Sequence, residues 1–282
     1  MKGIKKAMKE KIKTKKITSQ EMMQIQIKIL EYIIDICDKN NIEYFMIGGS
    51  LIGTIRHNGF IPWDDDIDIA LLREDYNRLL NILSKTQNTQ YKVIDKTTQK
   101  DYFYPFFKVM DKTTILKEKK FKEIKEYGIY VDVFAIDGLP KEEKLLNKRY
   151  KKQKNLQRLI FLNNAKKIEE KNPIKKIGKQ LLVIYSHIIG NKRILEQYDK
   201  VCTKYSAKKT EYAISNWPIY KKEKEIHKSK NFYKMKKHKF ESLDVKVPVN
   251  YDEVLKTTFN DYMTPPPEEE RKSHHEIEVY YK

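Results

Sequence analysis

Cysteine is scarce in this sequence: its 282 residues contain Cys37 and Cys202 and no other. They fall far apart in different expected elements, which excludes a disulfide framework and a CxxC metal site and makes a reducing, intracellular setting the expectation. Long apolar runs are missing too. No window reaches the roughly 18–20 apolar residues of a membrane span, and the opening MKGIKKAMKEKIKTKK has no apolar core of signal-peptide type. A cytoplasmic location is therefore expected. No internal repeat is evident, and without a zinc finger or RRM signature no specific nucleic-acid module is expected.

Positive charge is abundant. Lys and Arg number 58 against 39 Asp and Glu, a formal net charge of +19. Such an excess suits nucleic acid, anionic lipid, an anionic substrate or plain solubility, and does not choose among them. With 40% hydrophobic and 11% aromatic residues the composition is globular, and the length allows one generous domain with a helical appendage.

Periodicity orders the chain. Thr18 and Glu21 form a capping-box pattern ahead of Met22, Met23, Ile25, Ile29, Leu30, Ile33, Ile34 and Cys37 at helical spacing. IEYFMI reads as a strand, with Gly48, Gly49 and Ser50 in a strand-to-helix turn and a short helix from Leu51 to Arg56 stopped by HNG. A strand through FIPWDDDIDIALL follows, then a helix at REDYNRLLNIL. Strands are expected at YKVI, FYPFFKVM, TTILK and YGIYVDVFAI, in a mixed or antiparallel sheet. From Lys141 to about Tyr212 the pattern is helical and basic, with Leu145, Leu146, Leu156, Leu159, Ile160, Leu181, Leu182 and Ile184 as expected inward faces. Near the end, Asn250 is expected to cap a helix through Phe259. The expected organisation is α+β: a mixed sheet flanked by helices over 1–140, a basic helical subdomain over 141–230, and a segment over 231–282 that returns to the core.

The acidic strand carries the chemistry. Alternation puts Asp66 and Asp68 on one face, roughly 7 Å apart, where two carboxylates repel and resist burial unless a cation lies between them. Mg²⁺, or Mn²⁺, is the hard ion such oxygens suit, with Asp132 in YVDVF as a third ligand. Either motif alone has a plain structural reading, GGS as an ordinary tight turn and DxD as a solvated cluster. Together they put a glycine turn, whose N–H groups and Ser50 can donate to phosphate, beside a metal-binding acid set. Arg56, with His57 beside it, is a further donor for phosphate. Asp137, in AIDGLP, reads as a turn-shaping residue.

The strand, GGS turn and hDhDh strand resemble the nucleotidyltransferase superfamily. GGSLIGTIRHNGFIPWDDDIDIA, YGIYVDVFAIDGLP and VPVNYDEVLKTTFNDYMTPPPEEERKSHH resemble the LicD family in particular, which also includes the fukutin-related proteins. The resemblance covers about Ile42–Leu139 and Val247–His275 and implies a nucleotidyltransferase-like core. It also implies a transferase moving a phospho-alcohol, phosphocholine in the best-known bacterial members, from a CDP donor to a sugar hydroxyl of a surface glycan or teichoic acid, with release of CMP. Another phospho-polyol or phospho-sugar is the alternative cargo. Carried over by position, Asp66, Asp68 and Asp132 are the catalytic metal ligands, and Asp64 belongs to the same signature. The C-terminal motif makes Arg271 and His274 candidate donor ligands, although Phe259–Asn260 stands where the family often has Tyr-Gly.

For a quaternary ammonium, Trp63, Tyr102, Tyr104, Phe106, Phe107 and Tyr130 are aromatic candidates, most of them more readily read as sheet core. A non-enzymatic alternative is a nucleic-acid binder on a degenerate core, which three convergent carboxylates argue against. The basic tail and the Lys-rich helices between Lys141 and Lys200 are expected to face an anionic membrane or an anionic, lipid-linked acceptor.

Overall fold

A computed structural model describes residues 15–168, 170–273 and 276–282. The basic tail up to residue 14, and His274 among the expected ligands, lie outside the described residues. Helix α1 (Ser19–Lys39) starts at the expected capping box, in which the Thr18 hydroxyl accepts from the Glu21 N–H and the Glu21 carboxylate accepts from the Thr18 N–H. Its apolar stripe, Met22, Ile29, Leu30 and Ile33, is buried against the sheet. Strand β1 (Phe45–Met46) is shorter than expected, because Gly48, Gly49 and Ser50 are already the first turn of α2 (Gly48–His57) and not a loop before it. Asn58 closes α2 in the left-handed conformation.

The acidic strand is likewise shorter. β2 runs Asp68–Leu72, so Asp64–Ile67 form an irregular approach and Asp66 lies just outside the ladder. Helix α3 (Arg73–Lys85), β3 (Tyr91–Ile94), β4 (Phe107–Asp111), β5 (Thr114–Glu118) and β6 (Tyr130–Leu139) follow in the expected order, although β4 and β6 start later than expected, at Phe107 and Tyr130, and β5 lies outside the main sheet. β6 continues through Asp137 and Gly138, which are therefore strand residues and not a turn; Asp137 is fully buried against Arg73.

The helical stretch comprises α4 (Glu143–Asn164), α5 (Pro173–Ile189) and α6 (Asn191–Cys202). α4 and α6 bury Leu156, Ile160, Ile194, Leu195 and Tyr198 in the same core cluster as the sheet. α5 departs from expectation: Leu181 and Ile184 point to solvent and Leu182 is half-buried, because the side that α5 turns inward is a narrow one, with Ser186 buried and Leu182, Val183 and Ile189 half-buried around it. Leu145 on α4 is also exposed.

The chain then returns to the sheet through β7 (Tyr212–Ser215), α7 (Lys222–Glu225) and β8 (His227–Lys228), and adds a hairpin, β9 (Met235–Phe240) with β10 (Leu243–Pro248). The predicted α8 (Tyr251–Phe259) has Asn250 at its N-cap position, without a side-chain cap bond. At its other end Asn260 holds φ 61°. β11 (Ile277–Tyr281) pairs with β5.

The main sheet runs β1-β2-β6-β4-β3, with β7 on the second half of β6 and β8 beyond it. β2 and β6 are parallel and the other pairs antiparallel, giving a mixed α+β sheet flanked by helices. Cys37 and Cys202 are both free and buried. No helix among the described residues is long and apolar enough to cross a membrane.

Candidate active site

Register builds the site. Asp68 on β2 faces Asp132 on β6, and Asp132 faces Lys108 on β4. Three adjacent strands thus align two carboxylates and one ammonium in a row, with neighbours about 4.8 Å apart along the hydrogen-bonding direction. The backbone of Asp68 is fixed from both sides by the start of α2. Its carbonyl accepts from the Ile47 N–H (3.2 Å), and its N–H donates to the Ser50 hydroxyl (2.8 Å). Ser50 therefore touches the acidic strand directly, and it is buried.

The acidic loop before β2 is held by α1. Gln26, almost wholly buried, donates to the carbonyls of Asp65 (3.0 Å) and Tyr130 (3.4 Å), tying loop to β6. The glycines of α2 let this loop approach. A Cβ on Gly49 would stand 2.6 Å from Asp64 Oδ2, closer than real Cβ contacts come, and Gly48 has φ +60° with Asp68 Oδ2 beside it. Since the first turn of a helix leaves its N–H groups without intrahelical partners, the N-terminus of α2 presents donors and a positive dipole end to the same space.

Gly49, Arg56, Asp64, Asp66, Asp68, Lys108 and Asp132 all line one cleft of about 690 Å³. The carboxylate oxygens of Asp64, Asp65 and Asp66 lie within 4.8 Å of one another. Asp65 does not line the cleft and accepts from Ser273 (2.5 Å). Burial, then Asp66 and Asp65, push the Asp64 carboxyl up to about 7. Asp68 is pushed well above the usual carboxylate range by burial first, then by Asp66, Asp132 and Asp64, with Lys108 opposing. Asp68 Oδ1 is buried without a hydrogen-bond partner among the described residues. A buried, unpartnered acceptor in a group of mutually repelling acids is what a divalent cation relieves, so the donor set fits a hard metal ion.

Lys108 escaped the sequence reading. It is 2% exposed, its Nζ lies 2.5 Å from Asp132 Oδ1, and it sits 3.5 Å from the Tyr130 ring centroid, 4.8 Å from that of Tyr104 and 5.2 Å from that of Phe106. The signal was a lysine inside the apolar run PFFKVM. Three of the aromatics expected for a foreign cation thus surround the chain's own ammonium. Tyr102 and Phe107 lie in the core, while Trp63 lines the cleft. Further along, Phe121, Phe161, Trp217 and Tyr220 form another aromatic wall.

The C-terminal motif reaches the cleft rim. Arg56 Nη1 donates to the Tyr262 carbonyl (2.7 Å), and its Nε to His57 Nε2 (2.9 Å). The guanidiniums of Arg56 and Arg271 lie 6.0 and 5.4 Å from the Trp63 ring. Arg56 is shifted down by burial and by the charge of Arg271, and His57 by burial and by Arg56. Residues 215 positions apart (271 − 56) thus share one aromatic platform, a concentration of positive charge suited to a diphosphate.

Comparison with known proteins agrees with the motif reading. A family model described as LicD/FKTN/FKRP, nucleotidyltransferase domain, matches residues 41–157. The lipopolysaccharide cholinephosphotransferase LicD of Haemophilus influenzae is 30% identical over 276 residues, 94% of this chain and 99% of that protein. An uncharacterized protein of Rickettsia prowazekii is 33% identical over 84 residues, 30% of this chain and 31% of its own. The human ribitol 5-phosphate transferase FKRP is 39% identical over 44 residues, 16% of this chain and 9% of that protein.

Proposed function

The chain belongs to the LicD family and is an enzyme of its phosphotransferase type, and from that premise we propose that it moves phosphocholine, or a related phospho-alcohol, from a CDP-activated donor to a sugar hydroxyl of a surface glycan. The observation that carries the reading is the register row of Asp68 and Asp132, flanked by Asp66 and Asp64, with Asp68 Oδ1 buried and without a hydrogen-bond partner among the described residues. The fold in this reading is nucleotidyltransferase-like, although the nucleotide leaves and is not the group transferred.

Asp66, Asp68 and Asp132 would hold Mg²⁺ or Mn²⁺, with Asp64 adjacent. Bound there, the ion supplies compact positive charge for the donor's phosphate oxygens. The remaining work falls to the chain itself. The N–H groups of Gly48 and Gly49 and the guanidiniums of Arg56 and Arg271 orient the diphosphate, and phosphoryl transfer asks mainly for such positioning and charge neutralisation. The acceptor oxygen forms a bond to the choline-bearing phosphorus as the bond to CMP breaks. The hydroxyl proton passes to a carboxylate, for which Asp132 is the candidate. The wall of Phe121, Phe161, Trp217 and Tyr220 offers faces for a quaternary ammonium.

A phospho-polyol is the second reading. The Lys108 ammonium already occupies the Tyr104–Phe106–Tyr130 cluster and repels a second cation there, whereas a neutral polyol meets no such penalty. The test offers CDP-choline, CDP-ribitol and CDP-glycerol separately, with Mg²⁺ and glycan acceptors, and follows CMP. The expected result is acceptor-dependent release from CDP-choline that Asp66→Ala or Asp68→Ala abolishes. No release from any donor, or full turnover in those variants, overturns the reading.

A further inference from the structure

α5 is the one long helix among the described residues whose apolar side is turned outward. Ile174, Ile177, Leu181, Ile184 and Ile188 recur at intervals of three and four, with Tyr185 beside Ile184, and all six are between 53% and 79% exposed. At 100° per residue they occupy a single stripe about 100° wide. α4 and α6, by contrast, bury their apolar faces in the main core. The helix spans 17 residues, about 25 Å, too short and too interrupted to cross a bilayer but long enough to lie flat on one.

Charge selects the occupant. α5 contains Lys175, Lys176 and Lys179 and no acid, with Lys171 before it and Lys192 and Arg193 after it. Lys171, Lys175 and Lys176 are exposed, and the adjacent Glu170 is held by Lys179 at 3.0 Å. On the same wheel Lys175 and Lys176 fall about 80° beyond either edge of the stripe, so a second copy packed stripe to stripe would give these lysines no acidic partner. A neutral apolar partner would leave them unused. An anionic lipid surface satisfies both features, with the stripe entering the acyl boundary and the lysines meeting headgroup phosphates.

The helix is also coupled to the cleft. His187 on α5 lies 3.2 Å from Lys122 Nζ, which donates to the Asn163 carbonyl, and Lys119, Lys120 and Phe121, just before Lys122, line the cleft. We infer that α5 is an in-plane membrane-docking helix that holds the protein on anionic bilayers with the cleft rim close to the lipid surface. This assignment stands on the exposed stripe and its basic flanks and does not depend on which group the enzyme transfers.

The experiment is flotation of the full chain with vesicles of mixed phosphatidylglycerol and phosphatidylcholine, and with pure phosphatidylcholine, at low and high salt. Wild type is expected to bind the anionic vesicles and to prefer them over neutral ones. Ile177→Glu/Leu181→Glu should lower the apparent affinity at least tenfold, and Lys175→Glu/Lys176→Glu should erase the anionic preference. All four positions are exposed, so the melting temperature should stay at the wild-type value. Three outcomes overturn the inference: no binding to anionic vesicles at low salt; wild-type binding by the Ile177→Glu/Leu181→Glu variant; or a dimer in sedimentation that this variant dissolves while vesicles remain unbound.

Discussion

Asp132 and Asp137 lie five positions apart on β6 (137 − 132), so the pleat sends them to opposite faces of the same buried strand. Asp137 meets Arg73 in a two-pronged contact, Nε to Oδ1 at 2.8 Å and Nη2 to Oδ2 at 2.5 Å, with Asp137 fully buried and the Arg73 side chain 14% exposed. Asp132 shares its row with Asp68 and faces Lys108, yet Asp64, Asp66 and Asp68 bring more acid than one ammonium can neutralise, which raises the Asp64 and Asp68 carboxyls. Both faces bury acid. One balances it within the chain, and the other keeps a surplus beside a cleft. Burial of a carboxylate is thus no sign of function; a surplus of buried charge aimed at an open space is.

The largest expected effect is on activity at the open face. Asp68→Asn should reduce CMP release by about a thousandfold or more, the scale of losing a main electrostatic element of catalysis. Its melting temperature should equal or exceed that of wild type, since the substitution relieves repulsion. At the closed face the signs reverse. Asp137→Ala leaves the largely buried Arg73 without its carboxylate, and denaturant unfolding should show a loss of about 3–5 kcal/mol. Mg²⁺ should restore none of it.

Lys108→Met probes the boundary between the two. It removes the countercharge from Asp132 and should destabilise the metal-free protein by about 2–4 kcal/mol, a loss that Mg²⁺ partly recovers because the ion takes over the same neutralising role. Recovery of Asp137→Ala by Mg²⁺, or none for Lys108→Met, would break the comparison.

The acids also make stability depend on pH. In the unfolded chain Asp64 and Asp68 ionise near the ordinary aspartate value of about 3.9. In the folded chain Asp64 is at about 7 and Asp68 is raised well beyond the usual range. Between these limits the native state holds more protons, so the contribution is complete below the unfolded value and is lost as pH rises through the folded ones. Mg²⁺ held as proposed would bind the ionised form and oppose the loss. The rise in melting temperature on adding Mg²⁺ should therefore be larger near about pH 8 than near about pH 5. The smallest effect belongs to an exposed pair: Lys39→Ala, which cuts a contact with Asp35 whose partners are 70% and 66% exposed, should change stability by less than about 0.5 kcal/mol.

Much of this arrangement was legible in sequence because local rules govern it. The capping box of α1, the strands YKVI and TTILK and the helix ending at Phe259 all follow from periodicity and cap chemistry. What escaped depends on contacts distant in the chain. Alternation alone could not reveal that Asp68 and Asp132 share a register row with Lys108, since strand pairing is fixed by the whole sheet. Asp-Gly at 137–138 has turn chemistry, yet the Arg73 contact and pairing with β7 keep it in strand. In α5, helical periodicity identified the apolar stripe but not its direction, because the same pattern serves a core-facing and an outward-facing helix.

The most direct test of the account is Mg²⁺-dependent CMP release from CDP-choline and a glycan acceptor, measured in parallel for wild type, Asp68→Asn and Asp137→Asn at a temperature where circular dichroism shows all three folded. The account predicts release by wild type that vanishes with chelator, essentially none by Asp68→Asn, and near wild-type rates by Asp137→Asn. Release by Asp68→Asn at the wild-type rate, or release by wild type unaffected by chelator, would contradict it.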